Sequence, residues 1–129
     1  MSHHDNRATL ERSLEALYAG RIDEATTALA GDAVVEWPQS GERMVGRQAC
    51  TTVYKNYPGG SPAYELRRIS GTGDVFVVEA LGRYGNDTVF TTSIVEFRNG
   101  QIAKQTDYFA NPFEPPAWRS EWVEPMERI

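Results

Sequence analysis

The chain has 129 residues, of which 40% are hydrophobic and 24% charged, the size and composition of one soluble globular domain. A net charge of -5, with Lys and Arg scattered along the chain, excludes the basic patch that a nucleic-acid surface needs. No apolar run has the length of a membrane span, and no signal peptide is visible. The single cysteine, Cys50, excludes an internal disulfide. We therefore expect a cytoplasmic protein that binds neither nucleic acid nor membrane.

The histidines restrict the possible chemistry. His3 and His4 lie in residues 1–5, a segment that we expect to be disordered, so the folded part has no imidazole. Without histidine and with one cysteine, a nitrogen and sulfur metal site or a Ser-His-Asp or Cys-His nucleophile is not expected. No glycine-rich phosphate loop precedes a helix, which argues against a nucleotide cofactor. The sequence thus predicts no metal and no cofactor.

The first half of the chain carries helical periodicity. Leu10, Leu14, Leu17 and Tyr18 recur at helical spacing after a possible N-cap at Asp5 or Asn6. The predicted elements are a helix that ends before Gly20, a short helix over 22–29, a strand over 33–37, a polar turn over 41–46 and a helix over 47–57.

In the second half of the chain, apolar residues recur at every second position, which is typical of strands. Strands are predicted over 64–69, 75–84, 89–98 and 101–109, and Asn99-Gly100 is a strong hairpin signal. Helices followed by an antiparallel meander define an α+β fold. Both faces of the long strands are partly apolar, so we expect the helices to cover one face and a second subunit to cover the other. The predicted assembly is a homodimer through the outer sheet face.

This order of elements resembles the cone-shaped fold of the nuclear transport factor 2-like superfamily, which includes ketosteroid isomerases, limonene epoxide hydrolases and SnoaL-like polyketide cyclases. The resemblance covers nearly the whole chain and implies a single SnoaL-like domain over 1–129. It implies a cystatin-like cone in which three N-terminal helices pack on the concave face of a curved antiparallel sheet. The segments that carry it are residues 20–25, 35–38, 45–47, 94–102 and 106–109.

The active sites known in this superfamily match the sequence only in part. The positions that correspond to the catalytic groups of the steroid isomerases hold Trp37, Ser13 and Ser93, so the resemblance does not imply steroid isomerisation. For the epoxide hydrolases, the central-strand pair falls near Glu79 and Leu81, and only Asp107 matches the last acid. Asp107 also corresponds to the last-strand acid/base of SnoaL-like cyclases. The resemblance therefore selects Asp107 but transfers no complete active site.

In this fold the concave sheet face and the helices enclose an apolar pocket, a suitable place for a flat hydrophobic ligand. Beside three candidate catalytic residues, the predicted ligand-binding residues are Trp37, Tyr57, Val77, Leu81, Thr91, Ser93, Val95, Gln105, Phe109, Phe113 and Trp118. Trp118 and Trp122 lie four residues apart on a predicted helical turn. They either cover the pocket mouth or pack on the dimer partner.

Asp107, Tyr54 and Glu79 are the candidate catalytic residues. A buried carboxylate at Asp107 could move protons as a general acid/base, with Tyr54 as a hydrogen-bond donor. Glu79 either forms a carboxylate pair with Asp107 or an ion pair with Arg67, Arg68 or Arg83 on neighbouring strands. Asp107 itself could instead be satisfied by hydrogen bonds or an arginine and serve the fold alone.

Two classes of function follow from these residues. The first is a cofactor-independent isomerase, cyclase or hydrolase that uses Asp107 on a hydrophobic oxygenated substrate. The second is a non-catalytic ligand-binding or dimerisation module of the same fold.

Overall fold

A computed structural model of the protein describes residues 5–60 and 62–127. Helix α1 (Asn6–Tyr18) begins at one of the two predicted caps: the side chain of Asp5 accepts a hydrogen bond from the Ala8 amide at 3.0 Å. The buried Asn6 side chain donates to the Gly73 carbonyl at 2.9 Å and fixes the helix start to a hairpin turn. Of residues 1–5, for which disorder was predicted, Asp5 caps α1 and residues 1–4 lie outside the described part of the chain.

The second helix is shorter than the sequence indicated. Helix α2 (Ile22–Thr26) ends early because Thr26 and Thr27 donate their hydroxyls to the Ile22 and Glu24 carbonyls, which takes up acceptors at the helix end. The residues from Leu29 onward, predicted as the helix end and a loop, instead start strand β1 (Leu29–Trp37).

The polar turn predicted over 41–46 is wrong. A tight turn in which the Gly41 amide donates to the Trp37 carbonyl leads directly into strand β2 (Glu42–Val45). β2 is an edge strand with one buried side chain, Met44, so its alternation is too weak to detect in the sequence. Helix α3 (Arg47–Lys55) follows.

The remaining strands agree with the predicted meander. They are β3 (Ala63–Thr72), β4 (Val75–Tyr84), β5 (Asp87–Arg98) and β6 (Gln101–Ala110). The sheet order is β2-β1-β6-β5-β4-β3, with all neighbours antiparallel except β1 and β6, which are parallel. Irregularities of register in β1, in β3 and at the β5–β6 pairing interrupt the ladders, and such bulges bend a sheet. The structure confirms the α+β fold with three helices on a curved open sheet.

The two faces of the sheet differ in what covers them. On the inner face, Phe76, Val78, Val95, Phe97 and Ile102 form one core cluster with residues of α1, β1 and α3. We call the opposite side the outer face. Its side chains include Val45, Val75, Phe90 and Tyr108, all exposed, and the ion pairs Lys104–Glu36 and Arg68–Glu79.

After Ala110 the chain leaves the sheet as a C-terminal arm, residues 111–127. The arm has one short 3-10 helix (Ala117–Arg119), extended to Trp122 by a turn in which the Trp122 amide donates to the Arg119 carbonyl. The predicted helical turn around Trp118 is therefore present but short. In the described part of the chain, no helix is both long and apolar enough to cross a membrane.

Candidate functional site

A cavity of about 190 Å³ lies between the inner sheet face, α1 and α3. We call it the inner cavity. It forms because α1 and α3 cover the concave surface of the sheet without filling it. Its lining residues are Leu14, Leu17, Tyr18, Trp37, Tyr54, Tyr57, Pro62, Tyr64, Val78, Thr91, Ser93, Val95, Gln105, Asp107 and Phe109.

Asp107 on β6 is the acidic residue of the inner cavity and is only 7% exposed. Its Oδ2 accepts a hydrogen bond from Trp37 Nε1 at 2.9 Å, and its Oδ1 accepts one from Gln105 Nε2 at 2.8 Å. Both donors are neutral, and the ion pairs of the described residues do not include Asp107. Each carboxylate oxygen has a second lone pair, so the group can still accept from a ligand.

Several tyrosines line the inner cavity together with this carboxylate. The pKa of Tyr54 is raised well above its ordinary value, first by burial and then by the negative charge of Asp107. The pKa of Tyr18 is raised to about 12 by burial, by Tyr64 and by Asp107. Burial likewise raises the pKa of Tyr64, with further contributions from Tyr57 and Asp107. These phenols remain protonated at neutral pH and can donate hydrogen bonds into the inner cavity.

Paired aromatic rings form the wall at one end of the inner cavity. Tyr18 stacks on Tyr64 with ring centroids 5.0 Å apart. Tyr57 stacks on Tyr84 at 6.1 Å, and the hydroxyls of these two residues are 2.7 Å apart. Because Tyr57 is partly exposed, this pair lies where the inner cavity meets solvent.

The end of strand β6 next to the site is held by hydrogen bonds to the Gln39 side chain, which take the place of main-chain pairing. After Pro38 ends β1, the Gln39 amide group bonds to both the Phe109 amide and the Phe109 carbonyl. The contact between β1 and β6 therefore continues three residues beyond Glu36 and Thr106, the last pair of the main-chain ladder. This contact fixes the strand end that carries Asp107 and Phe109.

Most residues chosen from the sequence do lie along the inner cavity. These are Trp37, Tyr54, Tyr57, Thr91, Ser93, Val95, Gln105, Asp107 and Phe109. Ser93 is the direct cross-strand partner of Asp107, so both side chains project from the same face. Thr91 donates its hydroxyl to the Ala80 carbonyl at 3.1 Å, so its proton is already used within the sheet.

The residues chosen on β4 are wrong as cavity residues. Val77, Glu79 and Leu81 lie on the outer face, and Val78 lines the inner cavity instead. Glu79 forms an ion pair with Arg68 across the β3–β4 ladder, the second of the two alternatives considered, and so cannot pair with Asp107. The correct face could have been obtained from the hairpin registers, because Ser93 pairs with both Val78 and Asp107.

Phe113 and Trp118 do not line the inner cavity either. Both belong to the C-terminal arm and are 76% and 73% exposed. The arm departs from the end of β6 and does not fold back over the helices, so neither side chain covers the cavity mouth.

Sequence reasoning missed six lining residues: Leu14, Leu17, Tyr18, Pro62, Tyr64 and Val78. Three of them, Leu14, Leu17 and Tyr18, belong to the periodic apolar face of α1, from which the sequence analysis predicted a helix but no part of the cavity. Tyr64 lies on β3, where it stacks on Tyr18.

Two further groups bear on the chemistry. Burial raises the pKa of the Cys50 thiol, which therefore stays protonated and unreactive at neutral pH. Within residues 5–60 and 62–127, no three acidic, His or Cys side chains lie close enough to hold a metal ion.

The fold and the inner cavity define a cone-shaped protein of the nuclear transport factor 2-like class. A family model described as the SnoaL-like domain matches residues 10–105, and the chain belongs to that family. A nuclear transport factor 2-like protein of unknown function from Burkholderia xenovorans LB400 is 38% identical over 95% of both chains, with a TM-score of 0.85.

Two other solved structures extend this similarity. A protein proposed to be a ketosteroid isomerase, from Kribbella flavida DSM 17836, is 25% identical over 95% of this chain and 90% of its own, with a TM-score of 0.84. An LEH-like epoxide hydrolase from M. tuberculosis is 24% identical over 81% of each chain, with a TM-score of 0.66, which shows a shared fold. No curated protein matches the chain.

Proposed function

We propose that this protein binds a small, hydrophobic, oxygenated molecule in the inner cavity and transforms it without a cofactor, with Asp107 as general acid/base. The reaction class is isomerisation, cyclisation or hydrolysis. The observation that carries the proposal is the carboxylate of Asp107, which is buried beside an apolar cavity and is held only by neutral donors.

The surroundings of Asp107 suit proton transfer. Trp37 and Gln105 each donate to one carboxylate oxygen and thereby fix its orientation toward the inner cavity. A carboxylate neutralised by an arginine would be a weaker base, because the ion pair stabilises its charged form. Asp107 has oriented hydrogen bonds without such a cation, which favours a role in moving protons.

The hydroxyls of Tyr18 and Tyr54 supply the hydrogen-bond donors that complement a base at Asp107. A proton removed from carbon beside a carbonyl leaves negative charge on the carbonyl oxygen, and a positioned phenol stabilises that charge by donating a hydrogen bond. The raised pKa values of both tyrosines keep these donors protonated. Ser93, beside Asp107 across the ladder, is placed to orient a water molecule if the reaction is a hydrolysis.

The size of the inner cavity limits the substrate. Its volume of about 190 Å³ is below the range of roughly 300–1,000 Å³ that is typical of ligand pockets. A cavity of about 150 Å³ in another protein accommodates benzene, so a monocyclic compound or a short chain is the appropriate size. We therefore propose small cyclic or branched ketones, enones and epoxides as the substrate class.

A non-catalytic binding module is the second candidate. It is favoured by the fact that both Asp107 oxygens already accept hydrogen bonds from the protein. In that function Asp107 would anchor the polar end of a ligand, and the aromatic wall would enclose the rest.

Proton abstraction can be measured without knowledge of the natural substrate. Small monocyclic ketones are incubated with the protein in deuterium oxide, and the exchange of hydrogen beside the carbonyl is followed by NMR. Hydrolysis of small epoxides is followed by the appearance of diols. We expect Asp107→Asn to lower the rate of exchange or hydrolysis by about 10² to 10⁴.

Glu79→Gln is the matched control, since it removes a carboxylate of the same sheet that faces away from the inner cavity. It is expected to retain the wild-type rate. Equal losses in both variants would contradict the assignment of Asp107. Ligand binding without exchange or turnover, unchanged in Asp107→Asn, would establish the binding module instead.

A further inference from the structure

The two sides of strand β6 are supported unequally near its end. On one side the ladder with β5 continues to the pair of Phe90 and Ala110. On the other side the last main-chain pair with β1 is that of Glu36 and Thr106. Within the described residues, the end of β6 therefore takes its main-chain pairing from β5, and its β1 side depends on side chains.

Two side chains continue this β1 side. Trp37 Nε1 donates to Asp107 Oδ2 at 2.9 Å. Gln39, two residues further on, uses its side-chain amide to donate to the Phe109 carbonyl and to accept from the Phe109 amide. In each pair the residues are 70 positions apart, which is also the offset of the β1–β6 ladder. The two side chains therefore extend β1 along β6 in the same register.

The ring of Phe109 connects these two contacts. It lies at 81° to the ring of Trp37 with the centroids 5.9 Å apart, the edge-to-face arrangement that aromatic pairs favour. In a packed region a side chain keeps its rotamer through its neighbours, so Phe109 restricts rotation of the Trp37 indole. The direction of the indole N–H toward Asp107 thus depends on where the Phe109 main chain is held.

We propose that Gln39 is a positioning residue for the reaction at Asp107, although it is exposed and does not line the inner cavity. Its amide holds the Phe109 main chain, the Phe109 ring holds the Trp37 indole, and the indole N–H orients the carboxylate. This role rests on the proposed function of Asp107 and extends it to a turn outside the site.

The fold around Gln39 has other supports. The β5–β6 ladder reaches Ala110 and so includes the strand end that Gln39 contacts. The turn after β1 is closed by its own hydrogen bond, from the Gly41 amide to the Trp37 carbonyl at 3.0 Å. We therefore expect Gln39→Ala to unfold in urea at a midpoint close to that of the wild type, with local effects only.

Hydrogen exchange measured by NMR tests the contact itself. In Gln39→Ala the amide proton of Phe109 should exchange with solvent deuterium at least about tenfold faster than in the wild type, because its acceptor is gone. The control is Gln101→Ala, which truncates the exposed glutamine at the opposite end of β6 and should leave this rate unchanged.

The indole N–H signal of Trp37 tests the transmission to Asp107. Once assigned with Trp37→Phe, this signal should shift in Gln39→Ala, and its proton should exchange faster. The indoles of Trp118 and Trp122 are exposed, so their signals serve as internal references that should stay unchanged.

Gln39→Glu separates hydrogen bonding from the size of the side chain. Glutamate has the same length, but at neutral pH its carboxylate only accepts and faces the Phe109 carbonyl with a second oxygen. It should change the Trp37 indole signal as much as Gln39→Ala does. Gln101→Glu carries the same change of charge and should keep the wild-type signal.

Kinetics provide the functional readout. In the assays for the proposed reaction, Gln39→Ala should lower kcat by about tenfold or more and change KM by less than about threefold, because a misoriented base affects the transition state more than substrate binding. The Gln101 variants should retain the wild-type kcat.

A wild-type Trp37 indole signal in Gln39→Ala would overturn the proposal, as would an equal change in Gln101→Ala. So would an unchanged kcat in Gln39→Ala, or loss of its folded state, which would give Gln39 a role in the whole fold. A wild-type protein without turnover would refute the proposed function instead. The indole signals would then still decide whether Gln39 positions Trp37 against Asp107.

Discussion

We expect Asp107 to be more costly to the fold than an amide would be in its place. Its carboxylate is buried with hydrogen bonds from Trp37 and Gln105 but without a cation, so burial of the charge is only partly compensated. Residues kept for function often reduce stability in this way. A residue that served the fold alone would instead stabilise it, and its replacement would lower the free energy of unfolding.

Asp107→Asn should therefore leave the free energy of unfolding within about 1 kcal/mol of the wild type, or raise it. The asparagine retains an oxygen that can accept from Trp37, and it removes a buried charge. Urea denaturation monitored by circular dichroism measures the effect. A loss of more than about 3 kcal/mol would instead show that the carboxylate is mainly structural.

The raised pKa values of the buried tyrosines predict that the folded protein loses stability at alkaline pH. The pKa of Tyr18 is raised from 10.0 to about 12, so the folded state holds the phenol proton more tightly than the unfolded state does. The corresponding stability is complete below pH 10.0 and is lost as the pH rises toward about 12. Tyr54 and Tyr64 act in the same direction.

The midpoint of urea denaturation should accordingly fall steeply across that pH interval, and less steeply in Tyr18→Phe, which has no phenol to ionise. The ionisation itself can be followed by the ultraviolet absorbance of tyrosinate. Equal slopes in the wild type and Tyr18→Phe would contradict the role given to burial at this position.

The β3–β4 hairpin depends on one glycine. Gly71 has a φ of +116°, and a Cβ built on it would lie 2.3 Å from the Val75 carbonyl oxygen. Gly73, two residues further along the turn, has a φ of +69° but no atom within 4 Å of its Cβ position. The two positions therefore separate backbone strain from steric conflict.

Gly71→Ala should destabilise the protein by roughly 2–4 kcal/mol, since backbone strain and a collision with the main chain add together. Gly73→Ala, with strain alone, should lose only about 1 kcal/mol. Both values are measured by chemical denaturation. Equal losses would mean that the hairpin relaxes to accept the added methyl group.

The elements also show how far the sequence predicts the site. On β5 and β6 the residues chosen from alternation, among them Ser93, Gln105 and Asp107, all face the inner cavity. On β4 both alternating sets are largely apolar, so alternation alone does not decide between Val77 and Val78. The decision depends on the registers of the hairpins, which must be added to the alternation, and it agrees with the ion pair of Glu79 with Arg68, which is tertiary information.

Helices and edge strands were less predictable for other physical reasons. The periodic face of α1 both packs on the sheet and lines the inner cavity, and periodicity does not distinguish these roles. β2 has too few residues and too little apolar alternation to differ from a turn. The position of the C-terminal arm could not be predicted from the sequence, because its apolar residues do not pack into the core and remain exposed in the isolated chain.

At the scale of the whole molecule, the volume of the inner cavity predicts a size limit for ligands. Monocyclic ketones at concentrations well above their dissociation constants should raise the melting temperature, since a ligand that binds only the folded state stabilises it. Steroid-sized compounds should not, because they exceed a space of about 190 Å³.

Leu17→Ala is the test of that limit, because it removes side-chain volume from the cavity wall. It should extend binding to larger ligands while lowering stability by about 2–3 kcal/mol. Thermal denaturation with a series of cyclic ketones of increasing size measures both effects. Stabilisation of the wild type by a steroid would refute the size limit.

The open sheet has a consequence for solubility. Its two outermost strands, β2 and β3, present main-chain donors and acceptors to which another strand could add. Glu42 and Arg43 lie on the first, and Arg67 and Arg68 on the second, all of them exposed. A strand added there would have to strip water from these charges, so both rims oppose the templated, amyloid-like growth that bare sheet edges invite.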